Sequence, residues 1–469
     1  MSQPHKKLTL LDSSMLIMGS MIGSGIFIVS SAIARDVQTP GMLLLIWAIT
    51  AVMTIFGALC YGELAAAMPQ AGGQYVFLKK IYHEIFGFLY GWTVFAIIQT
   101  GTIAAVAIAF AKFTGVFFPW VSPDNILLDL GVLTLSSQQL LGIAMIALLT
   151  ISNFGEVKQS AILQNIFTFG KIGSLVCIII FGIIAGFMGK GSVENFTPAW
   201  PDTYTLVSLG VFGAAMVGSL FSADAWNNIT YIAGEVENPK KNLPLSMLLG
   251  TGSVMAIYFL VNMVYLYILP IDAIKTAEQD RVGTLLMNTI AGNYGLYLMA
   301  VLIMISTFGC LNGIILSGAR VYYAMAKDKL FFKPAAKLNK HQVPQNSLIF
   351  QGVWASLLIL SGSYGSLLDY VIFAVLVFYL LTVSGVMVLR KTHPDLPRPY
   401  KTFGYPFVPI IYLVLAAFVT ISLVVNKFEN TWPGLLLVLI GVPFYYLFRA
   451  LYGKNTEAEL PADGTTFEP

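Results

Sequence analysis

The sequence predicts an all-α protein of membrane-spanning helices, and three observations predict it. Of 469 residues, 57% are hydrophobic and only 10% are charged, whereas soluble domains carry roughly 25% charged residues. About twelve runs of roughly 18 or more mostly apolar residues follow one another, each long enough to cross a bilayer. The first and sixth runs are interrupted by glycine or by polar side chains, which lipid tolerates only where the freed backbone faces protein, a ligand or a water-filled cavity. The net charge of +3 needs no nucleic-acid partner, because Lys and Arg serve here to orient helices.

The first run, Leu8 to Ile33, contains Gly-Ser-Met-Ile-Gly-Ser-Gly-Ile-Phe at 19–27. Glycine costs about 1 kcal/mol per helical position relative to alanine, so Gly23, Ser24 and Gly25 predict a break near mid-membrane. The amides of the following half-helix would face an anion, and a carboxylate is the obvious small one. Gly19 and Gly23 also form a GxxxG pair, so close packing stands as the second reading. No cleavable signal precedes this run, only a polar leader with His5, Lys6 and Lys7, which places the N-terminus in the cytoplasm.

The remaining spans are expected near 41–67, 86–118, 138–155, 161–188, 206–233, 243–269, 294–325, 346–362, 367–389, 407–426 and 431–452. Lys79, Lys80, Lys158, Lys240, Lys241, Lys327, Lys329, Lys333, Lys337, Lys340, Arg390, Lys391, Arg398, Lys401, Arg449 and Lys454 then share the inner face. Arg35, Lys190, Lys275, Arg281 and Lys427 are left outside, which fits two cytoplasmic termini. The tail at 455–469 has no apolar run and is expected to be a disordered cytoplasmic extension. Cys60, Cys177 and Cys310 all fall in apolar runs and read as core residues.

In the sixth run, Ser219, Ser222, Asp224, Asn227 and Asn228 interrupt Leu206 to Ile232. Burying a carboxylate there without a partner costs at least about 2.5 kcal/mol. Asp224 therefore marks a functional-site candidate and a second break. Gly210, Ala214, Gly218 and Ser222 recur every fourth residue and form a small-residue packing face. Lys171 lies nine residues into the fifth span from Ile162, about 13 Å deep, too far to snorkel, so carbonyls freed by the first break are its natural partners. Lys112 reads as a solvated anchor, Glu63 as a structural pair near the inner face, and Gln99, Thr100 and Thr102 as possible pocket residues. The histidines lie outside the spans or at their ends, and no metal motif or P-loop is present, so neither an enzyme nor a cofactor is expected.

Breaks in the first and sixth spans are what a five-plus-five inverted repeat produces. The repeats run about 8–190 and 205–392, followed by two extra helices at about 405–452, in one transporter domain of 1–454. Tyr61-Gly62-Glu63-Leu64 with Pro69, Gly72, Gly73 and Tyr75, and Gly-Ser-Gly-Ile-Phe at 23–27, resemble signatures of the amino acid, polyamine and organocation transporter superfamily. Phe221-Ser222-Ala223-Asp224-Ala225-Trp226-Asn227, Gly234-Glu235, Asn238-Pro239, Asn242-Leu243-Pro244, Leu311-Asn312-Gly313 and Arg398-Pro399-Tyr400-Lys401 resemble the L-type amino acid transporter family, as a bacterial-type member. The resemblance implies a LeuT-like fold with helices 1 and 6 broken, and a plasma-membrane exchanger of α-amino acids, neutral ones by the small Ser222 and Ala223.

It also implies site residues. Amides around Ser24, Gly25 and Ile26 would hold the substrate carboxylate, and carbonyls of Met21, Ile22, Phe221 and Asp224 its ammonium. Ser222 and Phe221 would face the rest of the substrate. Many family members have glycine where Asp224 stands, and a hydrogen-bonding role through Ser222 or the Asn pair is the expectation. Lys171 would replace a coupling sodium, with Ser317 as its acceptor, and residues 282–288 would form an outer cap. No cysteine occurs in the outer loop from Pro119 to Ser136, so no disulfide-linked heavy subunit is expected. The remaining alternatives are a proton-coupled symporter, with Asp224 as proton carrier, or a channel or sensor.

Overall fold

The chain enters its first helix, α1 (Leu10–Met21), through a capping box. Thr9 Oγ1 accepts the Asp12 amide at 3.2 Å while Asp12 Oδ2 accepts the Thr9 amide at 3.0 Å. A computed structural model describes residues 8–70, 72–129, 134–155, 157–203, 205–361 and 364–452, without the side chains of 157–166, 206, 207 and 361. Lys454 and the expected tail lie outside the described residues. The helix stops at the first glycine cluster, and α2 (Gly25–Val37) resumes with its axis bent by 46°.

Next come α3 (Pro40–Ala67) and a short inner helix, α4 (Gln74–Ile81). Gly72 and Gly73 turn the chain between them at φ 113° and 49°, a left-handed region open to glycine. A Cβ on Gly73 would stand 2.2 Å from Thr230 Oγ1. The third span joins α5 (Glu84–Thr93) to α6 (Gln99–Thr114) through a π-helical turn, Val94–Ile98. An antiparallel hairpin, β1 (Ile126–Asp129) with β2 (Thr134–Ser136), occupies the following outer loop and adds a small sheet to the expected all-helical fold. Beyond it run α7 (Ser137–Ser152) and α8 (Val157–Ala185).

The sixth span begins as α9 (Leu206–Ser222) and breaks at 223–225, where Ala225 takes φ 69°. It continues as a 3-10 helix, Trp226–Glu235, in place of a second α-helical half. Then follow α10 (Pro239–Ile268), the short α11 (Ile271–Lys275) and α12 (Val282–Lys327). The last helix is non-helical only at Ala291 and Gly292, so the expected outer cap is its first turns, and a Cβ on Gly283 there would lie 3.0 Å from Phe27. The series ends with α13 (Gln345–Ser361), α14 (Tyr364–Thr392), α15 (Phe407–Asn426) and α16 (Phe428–Tyr452).

Among the described residues, nine helices are long and apolar enough to cross a bilayer, and the α1–α2 pair makes a tenth. The expected fourth and ninth spans are shorter apolar helices, Ser137–Ser152 and Gln345–Leu360. At 1.5 Å per residue they reach only about 24 to 26 Å, so length alone does not make them crossings. Helices of the first half pack on their counterparts in the second: α2 on α9, α3 on α10, α6 on α12 and α7 on α13. That is the packing of a LeuT-like bundle, with both breaks at its centre.

At the inner end, Glu63 is 1% exposed and accepts both Arg390 Nε at 2.9 Å and Nη2 at 2.7 Å, and the Thr402 amide at 2.7 Å. The carboxylate thus rivets α3 to the end of α14 and to the strand of chain before α15. Leu8 pairs with the chain beyond the 3-10 helix, donating to Glu235 O and accepting from the Glu237 amide, each at 2.8 Å. Arg320 on α12 reaches Glu235 Oε1 at 3.1 Å.

Candidate substrate-binding site

The two breaks face each other. Helix α2 starts without helical acceptors for the amides of Gly25 and Ile26, and the carbonyls of Gly19, Ser20 and Met21 at the end of α1 are released from helical bonding, while Met18 O still accepts the Ile22 amide. A cavity of about 30 Å³ lies between them, lined by Ser20, Met21, Gly23, Ser24 and Gly25, by Thr102 and Val106, by Phe221, Ser222, Asp224 and Ala225, and by Cys310 and Ile314. Six of the eight residues named from sequence for substrate contact line it, Met21, Ser24, Gly25, Phe221, Ser222 and Asp224, as does Thr102, named there as a pocket residue. Ile22 and Ile26 do not; their side chains are fully buried in the surrounding core.

Several of the groups expected to meet substrate are engaged in this conformation. Met21 O accepts Tyr258 Oη at 3.1 Å and Phe221 O accepts the Asp224 amide at 3.2 Å. A Cβ on Gly25 would stand 2.1 Å from Ser222 Oγ and 3.0 Å from Ser222 Cα, so the two breaks touch at this pair. Gly19 and Gly23 do serve as packing positions, against Thr168 of α8 and Cys310 of α12.

Asp224 sits where three small cavities meet. Its partner is neither Ser222 nor the Asn pair: Oδ1 accepts Tyr379 Oη from α14 at 2.6 Å. Ser222 Oγ instead donates to Gly218 O at 2.9 Å, and Asn227 Nδ2 to Gln74 Oε1 at 3.4 Å. Helical geometry explains the difference, because an i−4 carbonyl is nearer to a serine hydroxyl than any side chain across the break. Inward of Asp224 lies a cavity of about 30 Å³ lined in part by Gln74, Tyr90, Gln99, Thr102, Asn227 and Tyr231. Tyr90 and Tyr231 share a hydrogen bond across it. Thr100, also expected there, turns away and donates to Phe95 O at 2.7 Å across the π-turn. Gln74, Tyr231 and Tyr379 were not named from sequence. Gln74 follows the paired glycines, which is a signal; Tyr379 sits in an apolar run that gives none.

Lys171 is fully buried, and Nζ donates to Gly19 O at 2.8 Å, a carbonyl of the turn that the first break leaves open. Its expected acceptor Ser317 is elsewhere: Ser317 Oγ donates to Ile314 O at 3.2 Å and accepts Gln99 Nε2 at 3.3 Å. Seven residues, two turns or about 10 Å of α12, separate it from Cys310, whose Sγ approaches Ser20 O at 3.8 Å beside the break.

Outward of the breaks opens a cavity of about 740 Å³ whose walls carry Arg35, Asp36, Lys112, Asp280, Asp369 and Lys427. Phe221 meets Tyr364 edge to face at 6.3 Å on its floor. Lys112 is not a solvated anchor; it is 8% exposed, because the chain around Asp280 folds over it.

Residues 8–445 match the family described as amino acid permease. The chain is 31% identical over 446 residues to the serine/threonine exchanger SteT of Bacillus subtilis (strain 168), covering 94% of this chain and 96% of that one. It is 30% identical over 453 residues to the large neutral amino acids transporter small subunit 2 of Mus musculus, with 94% and 81% covered. Identity to the b(0,+)-type amino acid transporter 1 of Mus musculus is 29% over 454 residues, with 95% and 88% covered. With matches of this length and a broken-helix site at its centre, the chain belongs to the amino acid permease family, among the L-type relatives of the amino acid, polyamine and organocation superfamily.

Proposed function

We propose that the chain is a secondary transporter that exchanges neutral α-amino acids across the plasma membrane, without sodium, by alternating access. The observation that carries this reading is the pair of facing helix breaks around a mid-membrane cavity. In it, the amides of Ser24, Gly25 and Ile26 take the substrate carboxylate, and the carbonyls of Met21, Ile22, Phe221 and Asp224 take its ammonium. The backbone thus reads the part common to all α-amino acids, while Phe221, Ser222 and the Asp224 carboxylate face the variable part. At about 30 Å³ the cavity is shut, so substrate must part Gly25 from Ser222 to enter. The names of the relatives, an exchanger of serine and threonine and a carrier of large neutral amino acids, support both exchange and neutral substrates.

Lys171 supplies a tethered cation at the first break, where a bound sodium would otherwise neutralise the carbonyl ends. The lysine and arginine asymmetry supports two cytoplasmic termini, and a prokaryotic plasma membrane is the proposed setting. One relative is named a small subunit; the outer loop of this chain holds no cysteine for a disulfide to a larger partner, and we assign it activity alone. Counterflow in liposomes decides the matter: purified chain loaded with unlabelled amino acids is tested against each labelled common amino acid. Uptake driven by internal neutral amino acid is expected. Uptake that needs no internal substrate, or that follows only a proton gradient, would overturn exchange.

A further inference from the structure

Tyr364 lines the outer cavity and is held from three sides. Its hydroxyl lies 3.5 Å from Ser24 Oγ at the first break, and its ring meets Phe221 from the last turn before the second. Above it, Lys112 Nζ stands 5.3 Å from the ring centroid. The same ammonium is 3.8 Å from Asp280 Oδ2, and Asp280 Oδ1 is bound by Arg35 Nη1 of α2 at 2.6 Å. Arg281 Nη1 donates to Lys112 O at 3.4 Å, tying the end of α6 to the same turn. A lysine with only 10% of its side chain exposed, whose one carboxylate partner here stands at 3.8 Å and is shared with Arg35, is costly to keep, and the aromatic face beneath it adds to its stabilisation.

From this geometry we infer that Lys112 is a positioning residue of the outer gate: its ammonium holds the Tyr364 ring down over the two helix breaks, and so sets how often the path from the outer cavity to the substrate site opens. The link runs from Asp280 through Lys112 to Tyr364, and from there to Ser24 and Phe221. It joins α6, α14 and both broken spans in one contact chain. Removing the ammonium leaves Asp280 still paired with Arg35, so the outer turn keeps its charge partner while Tyr364 loses its clamp.

Cys310 lines the cavity beneath the gate and reports gate opening without any transport assay, so a failed test here is distinct from a failure of the exchanger reading. In a Cys60→Ala, Cys177→Ala background, the rate of Cys310 modification is measured from outside with two membrane-impermeant thiosulfonates, one cationic and one anionic. Lys112→Met and Tyr364→Leu should each speed both reagents at least about threefold. Lys112→Arg and Tyr364→Phe, which keep the cation and the ring, should stay near the parent rate. The double variant Lys112→Met, Tyr364→Leu should be no faster than the faster single one. If Lys112→Met does not fold, Lys112→Gln replaces it with the same expectation. Unchanged rates, opposite shifts of the two reagents, which would show charge steering alone, or multiplying effects in the double variant would each overturn the assignment.

Discussion

Lys171 and the pair Gly25–Ser222 are the residues on which the site turns. An ammonium buried in a bilayer protein persists only with acceptors, and Gly19 O provides one because no helical donor follows it. Lys171→Met should therefore keep expression and lose most exchange activity in liposomes; full activity would remove the lysine from the mechanism. At Gly25 the contact with Ser222 changes what a substitution tests. Because the pair must close again over bound substrate in alternating access, Gly25→Ala should weaken substrate binding about fivefold or more, an overpacked contact costing about 1 to 3 kcal/mol. Adding Ser222→Gly should recover part of that loss in a binding measurement with labelled amino acid, and no recovery would place Gly25 against the substrate alone. Asp224 and Lys171 were readable in the sequence because lipid makes an ionisable group conspicuous. Ser317 was misplaced and Tyr379 missed because, on a helix apolar all round, nothing in the sequence says which face turns inward.

Among the elements, the two breaks were the most legible, one from three residues that disfavour helix and the other from clustered polar side chains. The 3-10 winding of Trp226–Glu235 was not, since no residue pattern there separates it from an α-helix, and its Thr230 packs against Gly73 across the bundle. The helices lie within a few residues of the expected spans, though the fourth and ninth are too short for length alone to make them crossings. The eighth, expected from 294, follows a kink at Ala291 and Gly292 that sets off the first turns of α12, whose Gly283 packs against Phe27. The inner rivet of α3 to α14 gives a prediction on this scale. Arg390→Met leaves the Glu63 carboxylate buried without its bidentate partner, a loss of about 3 to 5 kcal/mol. The purified variant should melt at a clearly lower temperature in detergent, and Glu63→Gln combined with it should recover part of the loss. An unchanged melting temperature would show that Arg398, 3.6 Å from Glu63, takes over the pairing.

For the whole molecule, a tethered cation in place of a bound one predicts that replacing sodium by choline leaves exchange flux unchanged in liposomes containing this chain alone. Sodium-dependent flux would defeat that outright, and activity appearing only with a second polypeptide would defeat the assignment of autonomy. Composition and the order of the spans made the bundle legible, because both are properties of sequence summed over long windows; the shut cavity was not, because it is a property of one conformation. The inner half of the sixth span carries a mechanical meaning. Over residues 226–231, the six before a kink at Ile232, 3-10 winding extends about 12 Å, and α-helical winding would extend about 9 Å. One end is anchored to Leu8 and Arg320 at a doorway of the bundle, and the other lies beside Asp224. A change of pitch alone would thus supply a telescoping stroke of about 3 Å between cargo and doorway, with every surrounding rod left unbent.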